Sequence, residues 1–343
     1  MANHPFLSPG GRRLMRSTQA KCHRQTGAFN PQRRSFLLMG VGAFIASACA
    51  GTAQTNTSSV DAPATQQIQH ALGTTEVALN PTRIAVLDYF TVEALMVLGV
   101  EPIAAPAIIM NNLLHLPPAD NEIADVGSPR EPSLEKIATL KPDLILATKT
   151  FIEADTYELL SQIAPTVVFD NDGFTEWQEL TQLCAELLGK EAEAERLKAE
   201  YEAKLQTFKT QLDTSQIQVS VASFYGEQIS VFGKETFTGT VLEAARLSRP
   251  PKQAAGANDQ IPLELLGDID GDVLFVMKPQ SQTDVAADVR VALEKIQANP
   301  LWNQLNVVQA KQVYEVDAYW FGVGYIAADL ILDDLMKYLV KTP

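Results

Sequence analysis

The sequence predicts an α/β protein of two lobes, each with a central, mostly parallel sheet, joined by one long α-helix. Three observations carry this. Between residues 84 and 169, short apolar runs alternate with amphipathic stretches, the pattern of a parallel sheet covered on both faces. From residue 175 to 213 the strands stop and two helices follow one another; afterwards the alternation resumes. Finally, one stretch occurs twice. "SLEKIATLKPDLILA" (residues 133–147) and "PLELLGDIDGDVLFV" (262–276) align without gaps at an offset of 129 residues. Leu134 meets Leu263, Glu135 meets Glu264, Leu140 meets Ile269 and Asp143 meets Asp272.

The chain opens with a basic leader. Residues 1–49 hold seven Lys or Arg and no acid, which leaves 20 basic residues against 41 acidic ones in the remainder. So acidic a body argues against a nucleic-acid partner, whose phosphates require basic patches. In "QRRSFLLMGVGAFIASAC", two arginines precede an apolar run and then small residues, which reads as an export signal. The run is too short for a transmembrane anchor. Arg33 to Leu37 resembles a twin-arginine signal. Ala46-Ser47-Ala48-Cys49 resembles a lipobox, with lipidation expected at Cys49; cleavage with Cys49 incidental is the alternative. Met15 offers a second start. Residues 50–66, rich in Ala, Thr, Ser and Gln, are expected to form a flexible tether.

The N-terminal lobe is expected over 67–188. "IAVLD" is a buried strand, "TVEALMVLG" a helix closed by Gly99, and "PIAAPAI" a second strand. The first copy of the repeat gives helix then strand, broken by Lys141-Pro142. "YELLSQI" and "TVVFD" continue the alternation, and "TEWQELTQLCAELLG" is an amphipathic helix. Trp177 is expected to pack against the connecting helix. Cys184 lies on the apolar face and is expected to be a buried thiol. With Cys22 in the leader and Cys49 at the cut, no disulfide can form within the body.

The connecting helix is expected over 189–213. Leu197, Tyr201, Leu205, Phe208 and Leu212 fall on one face. Its length, roughly 36 Å, suits a strut between two lobes. The C-terminal lobe is expected over 214–343. "VSVASFYG" and "QISVFGK" read as paired strands, "TGTVLEAARL" as a helix and the second repeat copy as helix then strand. A helical stretch over 284–305, a last strand "QVYEVDAYWFG" and a closing helix complete the lobe. Trp302 is expected in the core.

In open α/β sheets, ligands gather beyond the carboxyl ends of the strands, and two facing lobes make a cleft there. The residues just after the strands are Tyr89 and Phe90, Arg130, Lys149 and Thr150 in the first lobe. In the second they are Tyr225, Lys234, Lys278, Tyr319 and Trp320. The set is cationic and aromatic. In each repeat copy the glutamate falls in the first turn of a helix, where it complements the helix dipole or serves as one of two matched carboxylates, one per lobe.

The chain resembles the iron-siderophore substrate-binding proteins of ABC importers, the two-lobed class with a single backbone helix. The resemblance covers about residues 67–341. It rests on "RIAVLDYFTVEALMVLGVEPI", "DVGSPREPSLEKIATLKPDLILA", "QIAPTV", "IPLELLGDIDGDVLFV", "NPLWNQLNVVQAKQVYEVD" and "ILDDLMKYL" in this order. It implies a monomeric, non-catalytic protein outside the inner membrane of a bacterium, taking a ferric siderophore in its cleft. It also implies that Glu135 and Glu264 dock onto arginines of the two permease subunits. A cleft arginine occurs in hydroxamate-binding relatives one residue out of register with Arg130. Arginine can fork onto chelate oxygens and rings can cover its flat faces. Citrate, hydroxamate and catecholate chelates all remain open.

Cobalamin and haem remain as alternative ligands on the same fold. Naked zinc needs several His or carboxylate ligands. Beyond the leader only His70, expected on an edge strand, and His115, expected in a loop, are present, so no metal site is expected. An exported enzyme is a further alternative, but no G-x-S-x-G, P-loop or G-x-G-x-x-G occurs, and no cofactor is expected.

Overall fold

The computed structural model describes residues 64–110, 113, 115–225, 228–256, 258–278 and 284–340. The export signal, Cys49 and nearly all of the tether lie outside the described residues. Strand β1 (Thr65–His70) begins inside the segment expected as tether and pairs antiparallel with β2 (Gly73–Ala78). This hairpin docks on the first sheet through Ala71 N to Val168 O, 2.9 Å. Its half-buried alternation is polar enough (TQQIQH) to read as linker.

The first sheet follows. Strand β3 (Ile84–Val86) leads into α1 (Tyr89–Val97), β4 (Ala104–Ala105), α2 (Ala107–Met110) and β5 (Ala124–Asp125). Helix α3 (Leu134–Leu140), β6 (Leu144–Thr148), α4 (Ala154–Ser161) and β7 (Thr166–Phe169) complete it. The strand order is β5-β4-β3-β6-β7, all parallel. Helix α5 (Trp177–Leu188) and the long α6 (Glu191–Gln211) come next. At 21 residues, α6 is about 31 Å long, and Tyr201, Leu205 and Phe208 are its buried face.

The second lobe comprises β8 (Val219–Tyr225), β9 (Gln228–Phe232), α7 (Phe237–Ala244), β10 (Asn258–Ile261), β11 (Val273–Met277), α8 (Asp284–Gln297), α9 (Asn306–Gln309) and β12 (Val313–Val316), whose five strands form the second sheet. Helix α10 (Tyr325–Leu339) closes the chain. The order β10-β9-β8-β11-β12 has two antiparallel pairs at one side and two parallel pairs at the other. The last strand is shorter than the sequence suggests. After Val316 the chain turns at Asp317 into a 3-10 helix (Ala318–Phe321), because Tyr319 and Trp320 both hook onto Asp334 of α10.

The two repeat copies occupy equivalent places, since β6 and β11 are both fourth in their sheets. The matched aspartates do the same work. Asp143 accepts from Thr82 N and Arg83 N, at 2.8 and 2.9 Å, and its own N donates to Arg83 O. Asp272 accepts from Gln218 N at 2.7 Å, and its N donates to Gln218 O. Each therefore locks the start of its strand to the start of the neighbouring one, β3 or β8. The copies differ in the helix. Ser133 caps α3 by accepting from Lys136 N, whereas Pro262 at the matching place offers no side-chain cap and a 3-10 helix (Leu263–Ile269) forms.

Asp88 joins α1 to the sheet. It is fully buried, accepts from Thr91 N (2.8 Å) as the helix N-cap, and accepts from Thr148 N (2.7 Å) at the end of β6. Asp88→Ala should lower stability by about 2 kcal/mol or more in urea denaturation, through loss of a cap and a buried hydrogen bond. Burial pushes the Asp88 carboxyl up to about 6, against the pull of its hydrogen-bond donors. Its contribution to stability is complete below the ordinary aspartate range and declines as pH rises through 6. Asp88→Asn should flatten that part of the stability–pH curve.

Candidate functional site

Segments that follow the strands of the first sheet, and residues at β9 and beyond β12 in the second, supply the walls of a cleft. On the first lobe the wall is aromatic. Tyr89, at the start of α1, packs against Phe151 (centroids 5.5 Å apart) and Phe174 (6.3 Å), and Phe90 lies edge-on to Phe174 at 4.7 Å. Arg130 is exposed and stacks over the Phe151 ring, 5.4 Å from its centroid. Burial pushes the Tyr89 phenol up to about 12, so it remains a neutral donor. Gly173 allows this wall to close: its φ is +73°, and a Cβ there would sit 2.2 Å from the Phe90 ring.

On the second lobe, Phe232 at the end of β9 meets Phe321 edge-on at 5.3 Å. A recess of about 130 Å³ lies between the lobes, lined by Phe174 from the first and by Phe232, Phe237, Trp320 and Phe321 from the second. Glu235 and Asn258 supply polar groups to it. Pockets for whole ligands commonly run to about 300–1,000 Å³, so this recess fits one arm of a larger ligand whose remainder lies in the open mouth. Arg249 steadies the wall by donating through Nη2 to Phe232 O and to Gln253 Oε1.

The structure distributes the predicted residues unevenly. Tyr89 and Arg130 share the first wall. Trp320 lines the recess yet is 1% exposed, held by Nε1 donating to Asp334 Oδ2 at 2.9 Å. Phe321 beside it is 46% exposed. Tyr319 is half-buried and donates to the same carboxylate oxygen at 2.6 Å; burial and this bond push its phenol upward. Lys149 ion-pairs with Asp170, and Lys278 with Asp317. Lys234 is exposed in the turn before α7. Tyr225 ends β8, pairing with Gln228. Phe151, Phe174, Phe232 and Phe321 were missed. Phe151, Phe174 and Phe321 lie a few residues past the positions immediately after β6, β7 and β12, and Phe232 ends β9, which runs antiparallel to β8.

Glu135 and Glu264 are both exposed in the first turn of their helices. Those helices run toward the amino ends of β6 and β11, so their N-termini lie at the carboxyl side of each sheet, the side of the cleft. Among the described residues, no group of three or more His, Cys, Asp or Glu could hold a metal ion. His115 is in a turn as expected, but its side chain is buried against Glu93, Nε2 to Oε2 at 3.2 Å.

A family model described as periplasmic binding protein matches residues 84–319. The chain belongs to this family. The probable siderophore-binding lipoprotein YfiY of Bacillus subtilis (strain 168) is 30% identical over 312 residues, 87% of this chain and 95% of the relative. The Fe(3+) dicitrate-binding periplasmic protein FecB of Escherichia coli (strain K12) is 30% identical over 290 residues, 82% and 91% of the two chains. Among solved structures, Staphylococcus aureus SirA complexed with staphyloferrin B superposes with a TM-score of 0.65 at 28% identity, covering 80% of this chain and 98% of that one. Members of the periplasmic binding protein family are binding proteins, which accords with a cleft walled by rings.

In this member, Asp334 is the anchor of the second wall. Asp334→Ala leaves the Trp320 Nε1 and the Tyr319 hydroxyl without their acceptor. Stability should fall by about 2 kcal/mol or more, measured by chemical denaturation, with a change in tryptophan emission.

Proposed function

We propose that the chain is the extracytoplasmic substrate-binding protein of an ABC importer and captures a ferric siderophore between its lobes. The observation that carries this reading is the recess between the two lobes, with aromatic walls and Arg130 stacked at its side. A ferric chelate has flat apolar faces and outward oxygens. Rings cover the first and a guanidinium fork takes the second. The shared core between the lobes suits a binder that closes little on its ligand.

The matched glutamates supply the second half of the function. Glu135 and Glu264 project from equivalent places, one per lobe, and make no side-chain hydrogen bond or ion pair among the described residues. A permease built from two like subunits would present one basic site to each. The leader directs the protein out of the cytoplasm through its twin-arginine-like segment, and Cys49 anchors it to the outer face of the inner membrane.

Titration of intrinsic fluorescence with a panel of ferric chelates, cobalamin and haem tests the ligand class. A saturable response to an iron-loaded chelate, absent with its iron-free form, is expected. A response confined to cobalamin or haem would replace the reading. Glu135→Ala combined with Glu264→Ala should leave chelate affinity within twofold and abolish uptake in cells; normal uptake would refute docking. Cys49→Ser should move the protein from the membrane to the soluble fraction.

A further inference from the structure

The cleft lysines repeat as the aspartates do. Lys149 follows β6 and Lys278 follows β11, 129 residues apart, the offset of the internal repeat. Each lysine has its carboxylate on the first residue beyond the neighbouring strand. Asp170 follows β7 and Asp317 follows β12. The backbone geometry is the same in both lobes. Thr148 pairs in parallel register with Phe169, and Met277 with Val316. Lys149 N donates to Phe169 O at 3.0 Å, and Lys278 N to Val316 O at 2.9 Å. The ammonium of Lys149 then meets Asp170, and that of Lys278 lies 3.3 Å from Asp317 Oδ1. Asp170 holds the Lys149 ammonium above its ordinary range.

The duplicated pairs change the charge of the cleft. Read from sequence, its rim carries four cations. In the structure two of them are matched by adjacent carboxylates. Lys234 is followed by Glu235, which lines the recess. Arg130 stands apart, with no carboxylate in ion-pair range among the described residues. Asp172 and Glu176 also act on the Lys149 ammonium, so five carboxylates face four cations and the rim holds about one negative charge in excess, against walls of Tyr89, Phe151, Phe174, Phe232 and Phe321. Exposed ion pairs contribute little to stability. Their carboxylates nonetheless remain in place to repel an anion, and like-charge juxtaposition is an effective way to exclude a wrong ligand.

We propose that Asp170 and Asp317 are specificity determinants, one per lobe, which bias the cleft toward ferric chelates of zero or single negative charge with apolar or aromatic faces and against multiply anionic ones. The inference rests on the siderophore reading. It names the charge class that reading leaves open. A trianionic tris-catecholate would be repelled by the excess of carboxylates at this rim, whereas a neutral trihydroxamate would meet the same aromatic walls without that repulsion.

The test uses the wild-type protein and the D170N/D317N double variant, titrated by fluorescence quenching with a neutral ferric trihydroxamate, ferric dicitrate and a trianionic ferric tris-catecholate. Wild type should bind the neutral chelate at least about tenfold more tightly than the trianion. The double variant should raise the affinity for the trianion relative to the neutral chelate by about tenfold, an effect that shrinks at high salt. A wild-type preference for the trianion, or an unchanged ratio in the double variant, would overturn the proposal while leaving siderophore binding intact. If no ferric chelate of any charge binds, the siderophore reading itself fails and the proposal with it. All four side chains are at least partly exposed, so the variant should fold; its melting curve, compared with wild type, checks this.

Discussion

Trp177 sets the relation between the lobes. It begins α5 in the first lobe and packs edge-on against Tyr201 of α6, Phe237 of α7 and Tyr325 of α10, with centroids 5.5, 5.5 and 5.0 Å away. Its Nε1 donates to Thr240 Oγ1 of α7 at 3.2 Å. One ring thus touches the strut and two helices of the second lobe. Such pairs contribute about 0.5–1.5 kcal/mol each beyond burial. The core around it is continuous, running from Val86 in the first sheet to Phe275 in the second. Lobes that share a core cannot swing apart without exposing it, so the width of the cleft is a property of the folded state.

A polar contact at the same seam removes the remaining freedom. Glu93 of α1 is fully buried; its Oε2 meets His115 Nε2 at 3.2 Å and accepts from Val323 N of the second lobe at 3.3 Å. Burial pushes this carboxyl upward, against the pull of His115. Gly324 passes so close that a Cβ would lie 2.7 Å from Glu93 Oε1. Apolar surfaces slide with little penalty, but a buried acceptor is satisfied in few geometries. The aromatic hub supplies the adhesion between the lobes, and Glu93 supplies the register.

Much of this was legible in the sequence because it depends on period and order. Most strands of both sheets, the strut over Glu191–Gln211 and the burial of Cys184, Trp302 and Trp177 follow from apolar spacing, whereas β10 (Asn258–Ile261), mostly polar and exposed, was not expected as a strand. The β1–β2 hairpin was hidden because its residues are mostly polar and only half-buried. The seam pair was hidden for another reason. Glu93 and His115 are distant in sequence, and neither type is expected to be buried. At the cleft, strand ends located Tyr89, Arg130 and Trp320 in the walls. The partners of Lys149 and Lys278 were hidden because they come from the neighbouring strand. Phe151, Phe174 and Phe321 were hidden because they lie beyond the positions immediately after their strands.

The internal repeat acts as a control on which residues the fold requires. Asp143 and Asp272 recur because each locks the start of one strand to the next, and a sheet without that lock would lose backbone partners at its edge. A residue with such a role would recur whatever the protein bound. Glu135 and Glu264 recur in helices that otherwise diverge, one an α-helix capped by Ser133 and the other a 3-10 helix after Pro262. Helix-dipole complementation is worth about 0.3–1 kcal/mol and weakens with salt and short length, so it gives little reason to keep a glutamate through a change of helix type. What the two carboxylates share is a position at the cleft side of each lobe and, among the described residues, no side-chain hydrogen bond or ion pair. The topology of each lobe places the glutamates on that side, and the proposed docking to a partner with two-fold symmetry would give a reason for both carboxylates to stay unpaired there.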